Sequence, residues 1–154
     1  MPLTSILRTT ITTKDTYPMS TARDFDFLHG EWRVHHRRLV TRFADNQQWQ
    51  EFASDVTVWP TLDGQGNVDD NRIEIPSGTY SAMSIRAFDE VSGQWAIWWL
   101  DARNPHSMEV PVLGSFESGS GLFLADDVID GRDVKVRFLW TDTQTSKPRW
   151  EQVV

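Results

Sequence analysis

The sequence predicts an all-β protein, an antiparallel meander that curls into a barrel, and three observations predict it. Beyond Gly30 the apolar spacing switches to two and stays there, which yields nine strand-like runs. Between several of those runs stand residues that tolerate positive φ in tight hairpins: Ser92-Gly93, Ser118-Gly119 with Gly121, and Asp130-Gly131. No helical period follows Gly30, so the crossover connections that a parallel sheet needs are missing. Consecutive short hairpins favour a barrel over a sandwich, because they leave few chances for Greek-key crossings.

The elements follow in chain order. Residues 1–18 lack an apolar run and a small-residue cleavage site, so they do not read as a secretory signal. They are expected to form a loose tail or upstream extension before a single domain over 19–154, and the chain is expected in the cytoplasm. From Ser20 to Leu28 a short helix is predicted, capped by Ser20 or Thr21, with Phe25 and Leu28 three apart on one side. Gly30 ends it. The strands are expected near 31–42, 49–59, 69–76, 79–88, 94–103, 112–118, 121–128, 132–141 and 148–154. Run 132–141 alternates most cleanly, with Val134, Val136, Phe138 and Trp140 on one side against Lys135 and Arg137. Run 94–103 is apolar on both sides, Trp95, Ile97 and Trp99 opposing Trp98 and Leu100. A strand of that kind is usually covered on its outer face by a helix, a tail or a second subunit.

Composition narrows the function. With 154 residues the chain makes one domain with room for a real core. Eight Trp and eight Phe supply more apolar surface than a disordered chain carries. No stretch of eighteen apolar residues is present to cross a membrane as a helix. The absence of cysteine excludes disulfides, thiolate metal sites and thiol catalysis. A net charge of −7 argues against nucleic acid, which calls for a basic footprint. Basic residues do gather between His29 and Arg42, four arginines and three histidines against Glu31. A strand whose charges face water explains most of that run.

Within the first strand, alternation from Trp32 and Val34 sends His36 and Arg38 inward and leaves Arg33, His35 and Arg37 outside. Inward charge needs a partner such as Asp101, or a ligand. His35 and His36 point to opposite faces and cannot share an ion, so no metal is expected. The oxygen-rich stretch Asp63–Asn71 lacks the twelfth-position glutamate of an EF-hand and reads as a plain loop between strands. Ser118-Gly119-Ser120-Gly121 lacks the spacing of a nucleophile elbow.

Gly30-Glu31-Trp32, following a short helix and opening the first strand, resembles the Gly-x-Trp entrance of lipocalins and their calycin relatives. There the tryptophan plugs the closed end of the barrel and an arginine stacks on it. The longer strings DFDFLHGEWRVHHRRL, DGQGNVDDN, GQWAIWWLDAR, PVLGSFESGSGLF and VKVRFLW…PRWEQ resemble a bacterial calycin-like family of unknown function over about residues 22–152. The resemblance implies a lipocalin-like antiparallel barrel and carries over no catalytic residue. Relatives continue past the Arg149–Gln152 run into a further strand. The expectation is therefore a barrel left open beside its first strand, or filled there by residues 1–18 or by a partner.

The expected function is binding of a small, partly apolar and optionally anionic molecule in the barrel mouth, without a cofactor. Trp98 or Trp99 with Trp140 would supply the walls, and His36, Arg38, Arg86 and Asp101 would orient the polar end. Two alternatives stand beside it: a calycin-type isomerase, cyclase or hydratase using His36 or Asp101, and a self-filled interaction module. No membrane or nucleic-acid partner is expected, and a homodimer is compatible with the sequence.

Overall fold

The computed structural model describes residues 19–43, 45 and 47–154. Nine antiparallel strands follow one another as a single meander and curl into a half-barrel. They are β1 (Gly30–Leu39), β2 (Trp49–Thr61), β3 (Gly66–Ile75), β4 (Gly78–Asp89), β5 (Gln94–Asp101), β6 (Val112–Glu117), β7 (Ser120–Ile129), β8 (Arg132–Thr141) and β9 (Arg149–Val153). Each pairs only with its neighbours in sequence, and among the described residues no strand joins β1 to β9. Among the described residues the sheet therefore stays open between β1 and β9. The proposed filling by residues 1–18 lies outside the described residues.

Turn chemistry sets the register. Ser118 and Gly119 adopt φ of 50° and 80°, and Asp130 and Gly131 adopt 51° and 74°, the two-positive-φ geometry that matches the twist of a tight hairpin. Gly114 is required for a different reason. A Cβ there would run into the backbone carbonyl of Leu122 on β7.

Two expectations need correction. The segment before β1 is not a helix but a sequence of turns ending in one 3-10 turn, Asp26–Leu28. Nine residues are too few to sustain a helix on local bonds alone. Tertiary contacts hold this segment instead: Phe25 and Leu28 are buried, the Trp32 indole N–H donates to Leu28 O at 2.7 Å, and Trp95 Nε1 donates to Asp24 at 3.3 Å. The Asp63–Asn71 stretch is also not one loop. The connection is a single turn, Leu62–Gly64, and β3 begins at Gly66, so that Asn67, Asp69 and Asn71 are buried strand residues.

Phe25 closes one end of the half-barrel. Its ring meets Trp95 at 4.9 Å and Phe116 at 4.8 Å edge-on, with Phe123 and Trp140 both at 5.8 Å. Trp32 stands beside this cluster, half-buried. The aromatic plug is therefore Phe25, and the arginine facing it is Arg86, 5.4 Å from the ring centre.

Candidate functional site

Cross-strand register assigns the inner face of β1 to β5. Trp32, Val56, Asn71, Ala82 and Asp101 form one row, and Val58, Asp69, Ser84 and Trp99 the next. The middle of this wall is polar and buried. Arg86 Nη2 lies 2.7 Å from Asp69 Oδ2, and Arg86 Nη1 donates to Asn67 Oδ1 at 2.9 Å. Asp69 Oδ1 accepts the Ser84 N–H at 2.8 Å and the Asn71 side-chain amide. A buried ion pair needs such additional hydrogen bonds to offset its desolvation, and here only Arg86 Nε is left without a partner.

Above this floor, at the end of the half-barrel away from Phe25, the side chains are half-buried. His36 stacks face to face on Phe52 at 4.7 Å, and its Nε2 lies 2.7 Å from the buried Ser54 hydroxyl. Burial, with the neighbouring charges of His35 and Arg38, pushes the His36 imidazole below its ordinary range and keeps it neutral near pH 7. Arg38 covers the same Phe52 ring at 5.0 Å and donates to Gln50 Oε1 at 3.2 Å. Four strands away Arg103 binds Asp101 through two nitrogens, Nε at 3.0 Å and Nη2 at 2.7 Å, and lies 3.5 Å from the Tyr80 ring centre. The Arg103 guanidinium holds the Asp101 carboxyl below the usual carboxylate range.

Loops approach one another across this open end. Glu109, whose N–H donates to Trp99 O at 3.2 Å, is crowded by protein atoms although its outer side meets solvent. That crowding and the nearby Asp127 push its carboxyl up, against the opposing pull of Arg42. Arg132, in the β7–β8 hairpin, sits 4.9 Å from the Phe43 ring of the β1–β2 connection. Phe43 holds a φ of 57°, a conformation that an aromatic residue adopts only at a cost. Two open depressions flank the sheet. One of about 430 Å³ is bounded by Arg72, Tyr80 and Arg103, and one of about 480 Å³ by Asp126–Val128 and Asp133–Lys135.

The seven residues singled out from sequence therefore divide. His36, Arg38, Trp99 and Asp101 share the inner face, with Arg38 exposed at the rim and Trp99 in the row of the buried Asp69 and Ser84. Arg86 belongs to the buried polar wall, 6% exposed, and Trp140 to the closed end, where it packs against Phe25 and Phe27. Trp98 pairs with Ile85 on the outer face. Sequence reasoning overlooked Phe52, Ser54, Tyr80 and Arg103, and the alternation of Asn67, Asp69 and Asn71 was the signal that marks the buried floor. Among the described residues no cluster of three or more His, Asp or Glu is arranged to hold a metal, and no helix is long and apolar enough to cross a membrane. The chain matches no protein-family model and no curated protein.

Proposed function

We propose that this is a cytoplasmic, lipocalin-like protein of the calycin type that binds a small, partly apolar molecule in the open end of the half-barrel. The stack of Arg38, Phe52 and His36 carries the reading: it is a half-buried aromatic and basic surface on the inner wall. His36 and Arg38 already cover the Phe52 ring, so an apolar part of the ligand would lie along the inner wall toward Trp99. Its anionic or hydrogen-bonding end would meet Arg38 and the neutral His36. Arg86 and Arg103 are occupied by Asp69 and Asp101, so Arg38 is the inner-face guanidinium most open to a ligand anion. The enzymatic alternative, an isomerase, cyclase or hydratase, rests on His36 alone as the acid–base group, because the Asp101 carboxylate is already committed to Arg103.

Native mass spectrometry of the protein isolated from its source cells tests the reading. A constant mass above the 17.8 kDa chain, absent from His36→Ala and Trp99→Ala proteins that melt like the parent, supports it. A bare chain in every preparation contradicts it.

A further inference from the structure

Ser54 lies on the inner face of β2, two residues from Phe52, and is 0% exposed. Among the described residues its hydroxyl reaches one polar partner, His36 Nε2 at 2.7 Å. Stacking on Phe52, with the ring planes 7° apart, holds the imidazole in the orientation that keeps this contact. A ring nitrogen and a hydroxyl can share a proton in two ways. If Nε2–H donated, the hydroxyl's own proton would point into protein without an acceptor, and a buried orphan donor is the rarer and more destabilising defect. If Ser54 donates, its proton is satisfied and only an oxygen lone pair goes unused. The neutral ring then carries its proton on Nδ1. Nδ1 has no partner among the described residues and is not one of the enclosed unpartnered atoms, so it opens to water or to a ligand. The charged neighbours of the ring are His35 and Arg38, both basic, so no carboxylate competes for that proton.

We infer that Ser54 fixes His36 as the Nδ1–H tautomer, and that the inner wall thereby selects ligands that present a hydrogen-bond acceptor there, such as a carboxylate or sulfonate oxygen. This ligand class rests on the binding reading above. Arg38 at the rim is likewise a donor only, so a ligand amine would face two donors. Ser54 is itself closed to the ligand and acts as a positioning residue. The same tautomer disfavours proton abstraction by His36, because the bare nitrogen faces a buried hydroxyl and the accessible one already carries hydrogen.

Nitrogen-15 NMR of the ligand-free full chain tests the tautomer at about pH 8, where a histidine side chain is neutral. His36→Gln assigns the His36 signals among the four histidines. The parent is expected to show Nδ1 protonated and Nε2 bare, the reverse of the form that a free imidazole favours in water. Ser54→Ala is expected to return His36 to the Nε2–H form. The ligand class is tested with anilinonaphthalene sulfonate against N-phenylnaphthylamine, the same rings without the sulfonate. The parent is expected to prefer the sulfonate, and Ser54→Ala to shrink that preference by about 3- to 10-fold, since the competent tautomer becomes a minor species. A parent in the Nε2–H form overturns the inference. So does an Nδ1–H form that survives Ser54→Ala, or a sulfonate preference that Ser54→Ala leaves intact. A parent in the Nδ1–H form that binds neither probe contradicts the binding reading and the ligand class with it, while the tautomer stands.

Discussion

At its closed end the half-barrel is filled by rings, Phe25 against Trp95, Phe116, Phe123 and Trp140, whereas the wall of β3 and β4 buries Asn67, Asp69, Asn71, Ser84 and Arg86. Both regions exclude water, but they do so by different physics. The rings gain from apolar burial and edge-on contact, which are tolerant of small shifts. The polar wall gains little net energy from its charges, and it holds a single geometry because each group needs its own partner. The apolar end therefore stabilises, and the polar wall fixes the register on which the open end is built.

Substitutions separate the two regions. Asp69→Ala strands the Arg86 guanidinium and is expected to cost about 3–5 kcal/mol, measured by urea unfolding. Replacing the pair together, Asp69→Leu with Arg86→Met, is expected to recover most of that loss. If the double variant is as unstable as the single one, the wall contributes more energy than this comparison allows. Phe25→Ala opens a cavity among five rings, Phe27, Trp95, Phe116, Phe123 and Trp140, and is expected to cost about 3–5 kcal/mol as well, but no second substitution in the polar wall should rescue it. Trp32→Ala, at a half-buried position with one indole hydrogen bond to Leu28, is expected to cost less, about 2–3 kcal/mol.

Acid titration sharpens the comparison at the open end. Because the folded His36 imidazole titrates below its unfolded value of 6.5, the unfolded chain takes up the proton first. Stability is expected to be full above about pH 6.5 and to fall as the pH drops below it, with His36→Gln removing that slope. Asp101, also held low, loses its contribution only at more acid pH, below its usual value of 3.8. Glu109 has the opposite sign, since its raised carboxyl favours folding as it protonates. The smallest effect belongs to the outer face of β1 to β3. Arg33 bridges Asp55 at 2.9 Å and Glu74 at 3.0 Å in full contact with solvent, and Asp55→Asn is expected to leave the melting temperature unchanged.

Much of this architecture was readable from the chain. Hairpin dipeptides and period two locate nine strands, and alternation from Trp32 places His36 on the inner face because β1 pairs with β2 without a bulge. Arg38 obeys the same alternation yet is exposed, because β1 ends at Leu39 and the rim leaves the side chain open. The misread Asp63–Asn71 stretch has a physical cause. Asn and Asp favour turns when unpaired, and only the arrival of Arg86 from β4 makes them stable inside a strand. Trp98 and Trp99 posed a different problem: with both faces of β5 apolar, sequence gave no sign of which one faced inward, and pairing with Ile85 and Ser84 decides it.

The measurement closest to the central proposal is a fluorescence titration with an anionic aromatic probe, anilinonaphthalene sulfonate, under conditions where near-ultraviolet circular dichroism shows intact packing. Saturable binding at one site per chain is predicted, weakened by Arg38→Ala and by Trp99→Ala and unchanged by Leu124→Glu on the outer face. Binding that survives both inner-face substitutions but disappears with Leu124→Glu would contradict the account and move ligand recognition to the opposite side of the sheet.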